Sequence, residues 1–180
     1  MSLPNYITIL RILLVPVVYL LITYYTPAQE HYRWWALYVF AFASLTDAID
    51  GFICRRWNLR TTLGTILDPL ADKLLLISTF IAISNSLLPL KPPSWVVIII
   101  IFRDLFIVSG LLTIVLTTNK LIVKPNWLGK LTTFGQMLTV LLILLNSTLA
   151  PPIWWLTAWL TVASGIVYIL RELKQLNRAK

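Results

Sequence analysis

Six stretches of this chain, residues 6–25, 34–54, 63–88, 95–117, 127–146 and 152–171, are each apolar over close to the length needed to cross a membrane. A helix spanning the hydrocarbon layer needs ~20 mostly apolar residues, and nothing in lipid can satisfy an unpaired backbone N–H or C=O. These stretches are therefore expected to be helices. Between them lie TPAQEHYR, RRWNLRTT, LLPLKPPS, TTNKLIVKPN and NSTLAPP, with Pro27, Pro92, Pro93, Pro125, Pro151 and Pro152 where helices would begin or end. With 58% hydrophobic and 12% charged residues and a mean hydropathy of +0.82, the chain is too apolar for an ordinary water-soluble domain of 180 residues. It is expected to be an all-α polytopic membrane protein, one domain over residues 1–180. In the opening MSLPNYITILRILLVP, Arg11 interrupts the apolar run and no small-residue cleavage site follows, so the first helix is expected to be retained. The lone Cys54 excludes an intramolecular disulfide.

The formal charge of +8 would suit a nucleic-acid partner in a soluble protein. In a membrane chain, basic residues are read more simply as cytoplasmic-side markers and contacts for anionic lipids, so no nucleic acid is expected. One side collects Arg55, Arg56, Arg60, Lys120, Lys124, Arg171, Lys174, Arg178 and Lys180, and the other holds Arg33 and Lys91. Both termini and the second and fourth loops are thus expected in the cytoplasm. Trp34, Trp35, Trp154 and Trp155 then fall near the opposite interface, where amphipathic rings are favoured.

Against this background four carboxylates stand out. Asp47 and Asp50 lie three apart near the cytoplasmic end of the second segment, and Asp68 and Asp72 four apart in the cytoplasmic half of the third. Each pair shares a helix face, and a carboxylate in hydrocarbon costs at least ~2.5–3.5 kcal/mol. Structural ion pairs with Arg11, Lys73 or Arg103 would relieve that cost, and so would a proton or cation pathway. Two pairs flanking one short basic turn fit a two-metal site better, with hard oxygens suited to Mg²⁺ or Mn²⁺. Gly51 and Gly64 leave the backbone beside the acids open, although close helix packing would also use them. Arg55, one turn beyond Gly51, offers a guanidinium to phosphate oxygens. A transporter has no need of that contact, which separates the enzyme reading from the transporter and scaffold alternatives.

Asp47, Asp50, Gly51, Arg55, Gly64, Asp68 and Asp72 match, at every spacing, the D-x2-D-G-x2-A-R-x8-G-x3-D-x3-D signature of the CDP-alcohol phosphatidyltransferases. The chain resembles that family, with Cys54 in place of the usual alanine. PNYITILRILLVP is similar to the Asn-x2-Thr-x2-Arg opening of phosphatidylglycerophosphate synthases and related cardiolipin synthases. The resemblance implies a bundle of six transmembrane helices with a polar cavity facing the cytoplasm, in the inner membrane of a bacterium. There, a phosphatidyl group would pass from CDP-diacylglycerol to an acceptor hydroxyl, releasing CMP. It also implies Asp47, Asp50, Asp68 and Asp72 as metal ligands and Asp72 as the catalytic base. Asp47, Gly51, Arg55 and Gly64 would sit at the CDP moiety.

Arg11, Arg103 and Lys130, in or near cytoplasmic halves of helices, are read as cations for an anionic acceptor, against snorkelling or pairing with an aspartate. Asp104 is expected to pair with a neighbouring base, and His31 to be solvated. For the acceptor, glycerol 3-phosphate and phosphatidylglycerol compete. Leu111 stands where phosphatidylglycerophosphate synthases commonly carry a second arginine, and the Arg103-Asp104 pair is similar to the cardiolipin synthases. The opening motif, the short chain and Lys130 in LGKLTTFGQM favour glycerol 3-phosphate, which is the acceptor preferred here. The expected partners are these substrates and membrane lipids, with a homodimer left open. On the charge distribution, a reporter fused after Lys180 will be cytoplasmic, and a cysteine placed in TPAQEHYR will react with an impermeant reagent from outside. Reversal of both results would place the acids on the wrong face for cytosolic nucleotide chemistry.

Overall fold

The computed structural model describes the backbone of residues 3–57, 62–118 and 127–176, and the side chains of residues 6–46, 68, 70–110 and 127–170. Among these residues the chain is all-helical: α1 Leu3–Thr23, α2 His31–Trp57, α3 Thr62–Asn85, α4 Ser94–Thr118, α5 Trp127–Leu144 and α6 Ala150–Leu176. The helices follow the six apolar stretches. α2 runs three residues beyond its stretch at each end, because polar residues such as His31 and Arg55 continue a helix once it leaves hydrocarbon. Pro151 and Pro152 occupy the first turn of α6, where the missing N–H groups would have no intrahelical partner in any case.

Two compact units are distinguished, one of residues 1–91 with 140–150 and the other of 92–139 with 151–180. In the first, α1 packs on both α2 and α3. Its buried apolar residues recur at helical spacing, with Ala36, Leu37, Phe40 and Ala43 on α2 and Ala71, Leu75, Leu76, Phe80 and Ile83 on α3. In the second, Val96, Val97 and Ile100 of α4 are buried, as are Trp154 and Ala158 of α6.

The distribution of polarity is the reverse of that in a water-soluble protein. Arg11, Arg33, Arg103 and Asp104 are buried together with Thr132, Gln136, Thr139, Thr157 and Thr161. Phe102 is 72% exposed, Trp127 80% and Trp159 72%, and Leu13, Phe42, Phe106 and Phe134 also face outward. Exposed apolar surface on this scale is tolerable only where the surroundings are themselves apolar. Among the described residues, Tyr6–Thr23, Trp127–Leu144 and Ala150–Leu170 are long and apolar enough to cross a membrane. The protein is a membrane protein.

Within the first unit, the end of α5 is closed by two devices. Asn146 takes a left-handed conformation at φ 52°, the amide of Asn146 donates to the Ile143 carbonyl at 2.9 Å, and that of Ser147 to the Leu142 carbonyl at 3.0 Å. This is the Schellman arrangement, with asparagine taking the position usually held by glycine. The Leu144 carbonyl accepts a hydrogen bond at 3.0 Å from Nη1 of Arg33, near the start of α2. Nη2 of the same guanidinium donates to Glu30 at 2.6 Å, and its carbon lies 5.2 Å from the centre of the Trp34 ring. Arg33 is therefore a buried clasp between two helix ends. The sequence had marked it only as a basic residue on the outer side.

Replacing Arg33 with methionine removes a charged donor from a buried carbonyl and is expected to cost about 1.5–3 kcal/mol. Glu30→Gln touches only the more exposed partner and is expected to cost under ~1 kcal/mol. Unfolding in detergent, followed by helical circular dichroism, measures both; equal losses would show that the Leu144 bond adds nothing.

Candidate active site

Asp68 and Asp72 are one turn apart on α3 and present their carboxylates to α1. Thr8 and Arg11 are three apart on α1 and form the answering face. The Thr8 hydroxyl donates to Oδ1 of Asp68 at 2.5 Å, and Nη1 of Arg11 donates to Oδ1 of Asp72 at 2.5 Å. Partners advance together along both chains, 8 with 68 and 11 with 72, so α1 and α3 run parallel here. Thr8 is fully buried and Arg11 is 1% exposed. The Asp72 side chain is 26% exposed, so one end of the ion pair is sealed in protein and the other opens outward.

A guanidinium that deep is stable only beside a counter-charge, and Asp72 supplies it. Pairing with an aspartate, one of the two readings of Arg11, is observed. The Thr8 bond to Asp68 had no counterpart in the sequence reading. The signal for it was the Asn-x2-Thr-x2-Arg opening, whose threonine and arginine match the interval of the α3 acids.

The second pair of acids belongs to α2. Asp47, Asp50, Gly51 and Arg55 fall in its C-terminal part, and Gly64 lies near the start of α3, one turn before Asp68. The side chains of Asp47, Asp50 and Arg55 lie outside the described residues, so the convergence expected of all four acids does as well. Among the described residues no group of three or more metal-ligating side chains occurs. The donors that are described fit a hard divalent cation: two carboxylates one helical turn apart, with Oδ2 of Asp68 not taken by the threonine.

In the other unit, Arg103 of α4 is buried and held at both guanidinium tips. Nη1 donates to the carboxylate of Asp104 at 2.7 Å, and Nη2 to the Ser164 hydroxyl of α6 at 2.6 Å. Asp104 is wholly buried, and its expected pairing with a neighbouring base is observed. A Cβ at Gly165 would stand 3.7 Å from Cγ of Arg103, an ordinary van der Waals contact, so the approach of α6 does not depend on that glycine. Lys130 of α5 is exposed. His31 is exposed at the start of α2, with its ring 4.4 Å from that of Tyr32.

These features can be compared with known proteins. The model of the CDP-alcohol phosphatidyltransferase family matches residues 1–167, a span that contains Arg11, Asp47, Asp50, Arg55, Asp68, Asp72, Arg103 and Lys130. The chain belongs to the CDP-alcohol phosphatidyltransferase family. Among curated relatives of this phosphatidyltransferase, the CDP-diacylglycerol--glycerol-3-phosphate 3-phosphatidyltransferase of Bacillus subtilis is 34% identical, over 98% of this chain and 97% of its own. A protein of the same name from Rickettsia typhi is 36% identical over 93% of this chain and 94% of its own. Another, from Blochmanniella floridana, is 34% identical over 79% and 73%.

The Arg103–Asp104 pair predicts an asymmetric response in this phosphatidyltransferase. Asp104→Ala leaves a buried guanidinium without its carboxylate and is expected to destabilise by about 3–5 kcal/mol. The double replacement Arg103→Met with Asp104→Leu removes both charges and is expected to be better tolerated than Asp104→Ala alone. Detergent unfolding of the three proteins checks the ordering.

Proposed function

We propose that this protein transfers the phosphatidyl group of CDP-diacylglycerol to a hydroxyl of glycerol 3-phosphate, giving phosphatidylglycerophosphate and CMP. The observation that carries the reading is full-length similarity to relatives named for that reaction, in a chain whose signature acids lie on helices at the family spacing. The acceptor oxygen forms a bond to the phosphorus that bears the diacylglycerol, the phosphoanhydride bond breaks, and CMP leaves with the electron pair. Asp72 accepts the proton of the attacking hydroxyl. Its contact with Arg11 supports this role, because the pair presents an oriented carboxylate at the edge of the protein interior.

Mg²⁺ or Mn²⁺ held by Asp47, Asp50, Asp68 and Asp72 would offset the charge that develops on the pyrophosphate. Gly51 and Gly64 give the CDP moiety access to the backbone, with Asp47 and Arg55 beside it. Arg11, Arg103 and Lys130 are assigned to the acceptor phosphate from the sequence. Six membrane-spanning helices in one domain, with the acids toward the cytoplasm of a bacterial inner membrane, agree with the loop charges and with cytosolic CDP chemistry. An amphiphilic donor accounts for a site at membrane depth: its acyl chains stay in lipid while cytidine reaches water.

With labelled CDP-diacylglycerol and Mg²⁺ or Mn²⁺, the purified protein is expected to form phosphatidylglycerophosphate when glycerol 3-phosphate is added. Cardiolipin formed only with phosphatidylglycerol would identify the other acceptor. Asp72→Asn is expected to lose at least ~100-fold in turnover, the low end for general-base catalysis. CDP-diacylglycerol binding should be largely kept. Near-normal turnover in that variant would remove Asp72 as the base.

A further inference from the structure

We propose that Thr8 is a positioning residue for the metal site, fixing the Asp68 carboxylate through its hydroxyl so that the remaining lone pairs are presented to a divalent cation. The proposal rests on the reading of Asp68 as a metal ligand. Three observations support it, the first being the direction of the hydroxyl. Threonines in helices commonly turn their hydroxyl back to a carbonyl one turn earlier in their own helix. Thr23, Thr79, Thr139 and Thr161 do so here, donating to the carbonyls of Tyr19, Leu75, Gly135 and Thr157. The hydroxyl of Thr8 reaches across to a carboxylate of another helix, sixty residues away in sequence.

The second observation is burial. Thr8 has no exposed surface, so its hydroxyl has no bulk water to donate to in place of Asp68. A carboxylate rotates about its terminal torsion unless one oxygen is held. A hydroxyl donating to Oδ1 fixes that torsion and leaves Oδ2 and the second lone pair of Oδ1 available.

The third is the match between helix faces. Arg11, on the same face of α1, holds the other α3 carboxylate, so both acids of α3 are oriented by α1 before any ligand arrives. Arg11 does so with a charge and supports its partner as an ion pair. Thr8 does so with a neutral group, which adds no positive charge beside Asp68. Outer partners of metal ligands are typically worth 10–100-fold in metal affinity.

The test is Mn²⁺ binding to the purified full-length protein in detergent, followed by the loss of the free-ion paramagnetic resonance signal and requiring no turnover. Thr8→Val keeps the shape and removes the donor, and is expected to weaken Mn²⁺ binding about 10–100-fold. The Mn²⁺ concentration for half-maximal activity should rise in parallel. Thr8→Ala removes the donor without filling the α1–α3 contact and should lose affinity similarly, which covers the case in which valine disturbs the fold. Thr8→Ser restores a hydroxyl and should bind within a few-fold of the parent. Unchanged Mn²⁺ binding in a folded Thr8→Val or Thr8→Ala protein would overturn the proposal, as would an equal loss in Thr8→Ser. Asp68→Asn serves as reference: if it also binds Mn²⁺ normally, Asp68 is not a ligand and the metal reading fails; if only the Thr8 variants bind normally, the positioning role alone fails.

Discussion

A charge in hydrocarbon must find its counter-charge within the protein, because the surroundings offer neither water nor ions. Much of what is specific in this structure follows from that constraint. Arg11 is buried and meets Asp72, and Arg103 is buried and meets Asp104 and Ser164. Arg33 is buried and meets Glu30 and the end of α5. In each case a guanidinium, with donors pointing in several directions from one plane, ties together groups that apolar packing cannot distinguish. The apolar residues set which helices are stable in lipid. The arginines add specific polar contacts between neighbouring helices within each unit.

The α1–α3 contact combines this structural economy with chemistry. A face that must neutralise or hydrogen-bond two carboxylates also holds them in fixed orientation, and orientation is what catalysis by charge requires. Had Asp68 and Asp72 both been met by arginines, the pair would be electrically satisfied and a poor ligand set for a cation. Here one acid meets a cation and the other a neutral hydroxyl. Asp72 is partly exposed beside a sealed arginine.

Much of the fold could be read in the sequence, since a lipid environment demands long apolar helices and proline and charged clusters mark their limits. Ends were less legible than centres. The stretch taken as far as residue 88 stops as a helix at Asn85, where the Ser86 hydroxyl bonds the Ile83 carbonyl and the next amide it receives is that of Leu88. Hydropathy does not register such a hydroxyl, because Leu87 and Leu88 continue the apolar run. The closure of α5 by Asn146 and Arg33 was equally hidden: it joins residues more than a hundred positions apart, and its signals, one asparagine and one arginine, are individually unremarkable in a loop.

The sequence by itself determined the class of protein and its family, because apolar length and the spacing of Asp47, Asp50, Gly51, Arg55, Gly64, Asp68 and Asp72 are local properties of the chain. It also placed Asp68 and Asp72 on one helical face, since an interval of four is less than half a residue from a full turn. It left open what that face would meet. Arg11, Lys73 and Arg103 were all chemically reasonable partners for the acids, whereas the neutral Thr8 carries no charge to mark it as one. Only tertiary structure decided that α1 lies parallel to α3 with Thr8 on Asp68 and Arg11 on Asp72, and that Arg103 reaches Ser164 of α6. The physical reason is that pairing depends on helix register and direction, which are set by the summed packing of whole faces such as Ala71, Leu75 and Leu76 rather than by any interval along the chain.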